Sequence, residues 1–273
     1  RPLPAWQPGA HVDLVLPSGL VRQYSLCGDP SDRGSYRVAV RRDSGGRGGS
    51  VEVHRLRPGD RLRVRGPRNT FPLRDADRYL FIAGGIGITP LKPMIEHVAA
   101  AGSAWRLIYI GRTPASMPYG EELAARYPGR VTLIATRFQG RPDVAGLLDP
   151  TATVYACGPE SLLSALEQAV PADRLHVERF AARPAGGAAF DVELRESGQS
   201  LHVPADRSLL EVIREVRPDL DSSCEQGICG DCAVKVVGGT PDHRDLVLDD
   251  RTRTDVIYPC VSRSATPRLV LDL

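Results

Sequence analysis

Six cysteines occur in 273 residues, and three of them fall within nine positions, in S-S-C-E-Q-G-I-C-G-D-C (222–232). Cys224, Cys229 and Cys232 have the spacing C-x4-C-x2-C, and Cys260 follows in Y-P-C-V-S. Four thiolates in that order suit a plant-type [2Fe-2S] cluster, in which cysteine sulfurs hold two irons. Gly227 and Gly230 suit a loop that wraps such a cluster, taking tight turns and aiming backbone N–H groups at its sulfurs. The alternative is a structural zinc ion. Zinc sites usually pair their cysteines as two separate C-x2-4-C knuckles, whereas here three ligands share one loop and the fourth is remote. A disulfide framework fits less well, because nothing else marks a small secreted scaffold.

Four other stretches have the make-up of ligand-binding turns. In R-Q-Y-S-L, Arg22, Tyr24 and Leu26 point to one face of a strand while Gln23 and Ser25 point to the other, so one element offers several groups to a flat ligand. S-G-G-R-G-G-S (44–50) permits close backbone approach and leads into a helix-like stretch, which would direct N–H groups at an anion. A-G-G-I-G-I-T-P (83–90) stands where an apolar strand turns into a helix, the place where α/β sheets bind nucleotides, although it is not G-x-G-x-x-G. C-G-P-E (157–160) stands at a second junction of the same kind.

The elements that must position these groups fall into three regions. Residues 1–75 alternate in short runs (10–16, 21–26, 35–41, 61–65) separated by turns, which predicts a β meander or barrel. Residues 76–183 alternate apolar strands (78–85, 105–111, 130–136, 152–158) with helices near 119–127 and 159–169 and one opened by Thr89 as cap, which predicts a parallel doubly wound sheet. Residues 184–189 read as a linker, and 190–273 read as a small α+β domain with strands at 190–196, 198–205, 233–237 and the C-terminus and a helix at 208–216. No apolar run approaches the roughly 20 residues needed to span a bilayer, and no secretory leader is visible, so a reducing cytoplasm is the expected compartment. Residues 1–183 hold 25 Lys and Arg against 17 Asp and Glu, while 184–273 hold 10 against 16. Opposite signs suggest that the two parts attract each other or that the acidic one meets a basic partner. Nothing argues for nucleic acid.

Taken in order, R-Q-Y-S-L, G-G-R-G-G-S, G-G-I-G-I-T-P, C-G-P and S-C-E-Q-G-I-C-G-D-C resemble the phthalate dioxygenase reductase family over nearly the whole chain. The resemblance implies a multidomain protein: an FMN-binding β-barrel (1–75), an NADH- or NADPH-binding α/β domain (76–183) and a β-grasp [2Fe-2S] ferredoxin domain (190–273). It implies that Arg22 contacts the FMN phosphate with Gly48, Gly49 and Ser50, that Tyr24 packs by the flavin, and that the Ser25 hydroxyl lies near the reactive flavin nitrogen. Gly85, Gly87 and Thr89 would face the nicotinamide dinucleotide, and Cys157 would stand beside the nicotinamide carbon that gives up hydride. Phe180 would lie where nicotinamide enters, and Arg112 would either bind a 2′-phosphate or stack on adenine. Cys27 reads as packing.

Such proteins pass electrons from reduced nicotinamide to an oxygenase, either a Rieske-type component or a cytochrome P450 haem domain, and the cluster rim around Glu225, Gln226 and Ile228 is the expected docking face. A flavoprotein with a four-cysteine zinc module at its C-terminus is the competing reading. Family barrels have strands upstream of the first one here, so the resemblance implies a flavin domain that is incomplete at its N-terminus and part of a longer polypeptide, in some relatives fused to a P450 haem domain.

Overall fold

Pro17, Ser18 and Gly19 break the first apolar alternation, and Gly19 takes φ +87° there, a conformation open to glycine. The chain thereby reverses from β1 (His11–Val15) into β2 (Val21–Ser25) as an antiparallel pair. A computed structural model describes residues 2–45, 48–180, 187–222, 225, 227, 230–245, 247 and 255–273. Helix α1 (Gly49–Val53) follows, and β3 (Arg63–Arg68) pairs with the other edge of β1, giving the order β2-β1-β3. Val12 and Leu14 project with Trp6, Ala10, Leu16 and Leu26 into an apolar core, against which Tyr24 packs. The strand expected at 35–41 is reduced to one bridge, Leu26↔Val38. Its partner β2 ends at Ser25, so V-A-V finds no ladder to join.

Between Arg78 and Glu178 the parallel sheet forms as the pattern predicts. Its strands are β4 (Arg78–Gly84), β5 (Ala104–Gly111), β6 (Val131–Ala135), β7 (Thr153–Cys157) and β8 (Leu175–Glu178), in the order β6-β5-β4-β7-β8. Central β4 is buried from Tyr79 to Gly84, as a strand covered on both faces must be. Helices α2 (Ile88–Ala100), α3 (Gly120–Arg126), the short α4 (Thr136–Gln139) and α5 (Glu160–Ala169) lie between the strands. Leu163 and Leu166 of α5 close a core with Leu80, Ile82, Ile108 and Val154. Edge strand β8 was not anticipated: L-H-V-E is only four half-buried residues, too short to show a period. Thr89 is not the cap of α2. Gly85–Gly87 form a 3-10 turn that runs straight into the helix, so Gly87 caps it and Thr89 falls inside its first turn.

Phe180–Leu273 form a separate unit from Arg1–Arg179. Strands β9 (Phe190–Leu194) and β10 (Gln199–Val203) make a hairpin; β11 (Val234–Gly238), β13 (Val256–Ile257) and β15 (Arg268–Leu271) complete a sheet ordered β10-β9-β15-β11-β13, in which β15 runs parallel to β9. A two-residue ladder joins β12 (Pro241–Asp242) to β14 (Arg263–Ser264). Helix α6 (Leu209–Ile213) grips the sheet through Leu209, Val212 and Ile213, and it is shorter than the expected 208–216. Its start is fixed by a capping box: Glu211 N–H donates to Ser208 Oγ (3.1 Å), and Ser208 N–H to Glu211 Oε2 (2.8 Å). No helix among the described residues is long and apolar enough to cross a membrane.

Candidate functional site

Strands β4 and β7 are neighbours, with Ala83 opposite Cys157, yet their outgoing helices lead to strands on opposite sides of the sheet. That reversal opens a crevice at the carboxyl edge, the usual ligand site of open parallel sheets. Glycine makes the crevice floor possible. A Cβ on Gly84 would lie 2.5 Å from Pro159 Cδ and 3.0 Å from Gly158 Cα, and one on Gly87 would lie 2.2 Å from the Cys157 carbonyl oxygen. The two loops touch backbone to backbone, a close approach that side chains at these positions would prevent. Gly85 has φ +55°, and its carbonyl accepts from Tyr109 Oη at 2.8 Å. Thr89, expected to face the nucleotide, donates its hydroxyl to Ile86 O at 3.0 Å and is buried, so it shapes the turn.

At the same edge, Arg112 follows β5 exposed to solvent, and its carbonyl accepts from Arg137 N–H at 3.0 Å. Phe138 comes next, 71% exposed. Sequence reading singled out Arg112 alone; the pairing of β5 with β6 is what brings Arg137 to it.

Ser25, at the end of β2, is buried and donates to Glu178 Oε2 at 3.3 Å. Glu178 ends β8 opposite Cys157 at the end of β7, so three strands deliver a hydroxyl, a thiol and a carboxyl to one place. Desolvation pushes the Glu178 carboxyl up to about 8, against the smaller opposing effect of the Ser25 hydrogen bond. Burial, and then the adjacent Glu178, hold the Cys157 thiol well above its usual range, so it is a neutral thiol at pH 7. Glu178 is the residue sequence reading missed: one acidic residue in a short strand looks like solvated surface. The chain beyond it is anchored, because buried Arg179 donates to Glu160 Oε2 (3.0 Å) and Glu167 Oε1 (2.7 Å) of α5. Phe180, half-buried, opens the second unit.

The register that sets Ser25 opposite His11 also sets Gln23 opposite Asp13, so these four residues share one face of the β1–β2 pair. His11 Nε2, Asp13 Oδ1 and Gln23 Nε2 are buried with no partner among the described residues. An unpaired buried polar atom costs about 1–3 kcal/mol, so this face fits a planar ligand rich in hydrogen-bonding groups. On the opposite face Tyr24 is half-buried, and desolvation raises its phenol despite Arg22 nearby. Arg22 lies flush on Gly49, where a Cβ would fall 2.5 Å from its Nε, and this sets the guanidinium beside the Gly48–Ser50 turn. Such a fork beside a glycine turn suits a phosphate. The Ser50 hydroxyl is engaged in closing the loop, accepting from Asp43 N–H at 3.0 Å. Cys27 is fully buried, with Sγ 3.6 Å from Tyr119 Oη, consistent with its reading as packing.

In the second unit Cys232 and Cys260 are buried in one small cluster with Leu210, Tyr258 and Val261. Cys224 and Cys229 lie outside the described residues, as do Gln226 and Ile228 of the expected rim. Glu225, Gly227 and Gly230 have φ of +51°, +67° and +85°, the succession of tight turns that wrapping a cluster requires. A Cβ on Gly227 would lie 2.6 Å from Val261 Cγ2, so the loop packs directly on the chain that follows Cys260. The described sulfurs and turns fit an iron–sulfur cluster.

Comparison with known proteins accords with this geometry. Residues 5–72 match the oxidoreductase FAD-binding domain, and residues 192–264, which contain all four candidate ligand cysteines, match the 2Fe-2S iron–sulfur cluster binding domain. The chain therefore carries flavin and [2Fe-2S] modules, and the zinc alternative falls. Phthalate dioxygenase reductase of Burkholderia cepacia is 38% identical over 100% of this chain and 89% of its own. A solved phthalate dioxygenase reductase, described as a modular structure for electron transfer from pyridine nucleotides to [2Fe-2S], superposes with TM-score 0.73 at 37% identity, covering 100% of this chain and 90% of that one. An intact type IV self-sufficient cytochrome P450 monooxygenase gives TM-score 0.76 at 43% identity, but this chain spans only 38% of its length. With a flavin module, a parallel-sheet crevice and a [2Fe-2S] module in that order, the chain belongs to the phthalate dioxygenase reductase family, the oxidoreductases that reduce oxygenases.

Proposed function

We infer that the chain takes electrons from NADH or NADPH, passes them through FMN to a [2Fe-2S] cluster held by Cys224, Cys229, Cys232 and Cys260, and delivers them to an oxygenase. The observation that carries this reading is the meeting of Ser25, Cys157 and Glu178 beside the glycine crevice, in a chain that also holds a cluster-binding module. When bound, flavin supplies the conversion between a two-electron donor and a one-electron acceptor. The protein's own work is to bind and orient. Arg22, with the Gly48–Gly49 turn, provides countercharge for a terminal phosphate, which is the support for FMN. Chromatography of acid-released flavin tests it: recovery of FAD in place of FMN would overturn that part.

Gly84, Gly85, Gly87 and Gly158 give the dinucleotide a floor free of side chains, and the neutral thiol of Cys157, buried beneath it, adds no charge. Glu178 keeps its proton up to about pH 8, so the crevice stays uncharged where nicotinamide enters. Phe180, two residues beyond Glu178, is assigned to cover that entrance. Arg112, Arg137 and Phe138 are assigned to the adenosine end, the aromatic ring to stack on adenine and the guanidinium groups to read a 2′-phosphate. Initial rates with NADH and NADPH test this: Arg112→Ala with Arg137→Ala should raise KM for NADPH about tenfold or more and leave NADH little changed, since a charge-assisted contact contributes about 1.5–3 kcal/mol.

For the acceptor, the 43% identity to a P450 monooxygenase favours a haem domain, with a Rieske-type oxygenase as the other case. Anaerobic mixing of the NAD(P)H-reduced protein with each oxidised acceptor, followed by absorbance, separates the two.

A further inference from the structure

Arg214, the residue that caps the C-terminus of α6, reaches into the cysteine loop with every arm of its guanidinium. Its Nε and Nη2 donate to Leu220 O (3.3 and 3.0 Å), Nη2 also donates to Ser222 Oγ (2.7 Å), and Nη1 donates to Glu225 Oε1 (2.9 Å). The Ser222 hydroxyl donates in turn to the same Glu225 oxygen at 3.1 Å. Leu220 and Ser222 precede Cys224 in the chain and Glu225 follows it, so one guanidinium bonds to a backbone carbonyl and a hydroxyl before the first candidate ligand and to a carboxylate after it. Glu225 is one of two non-glycine residues with positive φ among the described residues, at +51°. A left-handed conformation is unfavourable for a residue with a Cβ and persists where surrounding contacts hold it. An exposed ion pair alone would contribute little. Here two bonds go to a backbone carbonyl and the acid partner is strained, which marks a clamp.

We propose that Arg214 is a positioning residue for the iron–sulfur loop, its guanidinium holding Ser222 and left-handed Glu225, the described residues on either side of Cys224, in fixed places. The proposal rests on the reading of Cys224 as a ligand. It also reassigns Glu225, whose carboxylate is engaged within the loop, from the docking rim to the loop's internal scaffold.

The test uses the full-length, cluster-loaded protein. Two quantities are read: the rate of cluster bleaching under a chelator, and the cluster's midpoint potential and electron paramagnetic resonance spectrum. Arg214→Met and Arg214→Lys should each speed bleaching about tenfold, because lysine keeps the charge but not the fork; a factor of ten corresponds to about 1.4 kcal/mol. The potential should fall in Arg214→Met, which strands a negative charge by the cluster, and rise in Glu225→Gln, which strands a positive one. Loosened packing alone would not produce shifts of opposite sign. Glycine adopts φ +51° unaided, so on a Glu225→Gly background Arg214→Met should add less than its single effect. Additive effects, shifts of the same sign, or bleaching by Arg214→Lys at the unsubstituted rate would overturn the proposal. If the unsubstituted protein binds no iron, the ligand reading fails instead.

Discussion

At the scale of single residues, the crevice is defined by a proton that stays put. Below pH 4.5 Glu178 is protonated whether the chain is folded or not. Between there and about 8 the unfolded chain releases the proton while the folded one keeps it, so the residue's contribution to stability is lost as pH rises across that window and is flat above it. Glu178→Gln should therefore gain in melting temperature over the unsubstituted protein as pH is raised from 5 to 9; a constant difference would count against the raised carboxyl. Flavin reduction by NAD(P)H should likewise decline above about pH 8 in the unsubstituted protein and not in Glu178→Gln, measured by stopped-flow absorbance. The strand end that carries Ser25 and the junction that carries Cys157 were legible because each sits in a short motif. Glu178 was not, because its meaning comes from the β7–β8 register and from a serine 153 positions upstream. Thr89 has a structural task that its type did not reveal: its hydroxyl donates within the turn it sits in.

Among elements, the strand-to-helix junctions were the most readable features, because glycine there is a steric demand. Gly84→Ala should perturb the crevice strongly: the added methyl would meet Pro159 and Gly158, and overpacking of this kind costs about 1–3 kcal/mol. Weaker nicotinamide binding with an otherwise intact circular dichroism spectrum is the expected result. Ser208→Ala should cost about 1 kcal/mol through the lost cap of α6, read as a lower melting temperature of the cluster-bearing unit. The parallel strands were legible from unbroken apolar runs. The 35–41 segment was misread because its alternation is genuine while the partner strand it needs stops short. Strand pairing is a property of two segments, and periodicity reports on one.

For the whole molecule, the two units carry separable steps. Cys229→Ser should abolish cytochrome c reduction yet leave NAD(P)H-driven ferricyanide reduction near its original rate, and equal loss of both would refute a flavin step that runs without the cluster. The surplus of Lys and Arg in residues 1–183 and of Asp and Glu beyond was plain from composition, and it predicts that electron delivery to a basic acceptor slows as salt rises. What composition could not show is how the chain leaves the first unit. Arg179 is tied to two carboxylates of α5 immediately after Glu178. It works as a peg does at the end of a string: the last residue of the first unit is pinned to a helix, so the strand that carries Glu178 ends in a fixed place. Fraying that starts beyond Arg179 must break two ion pairs before it reaches the carboxyl that faces Ser25.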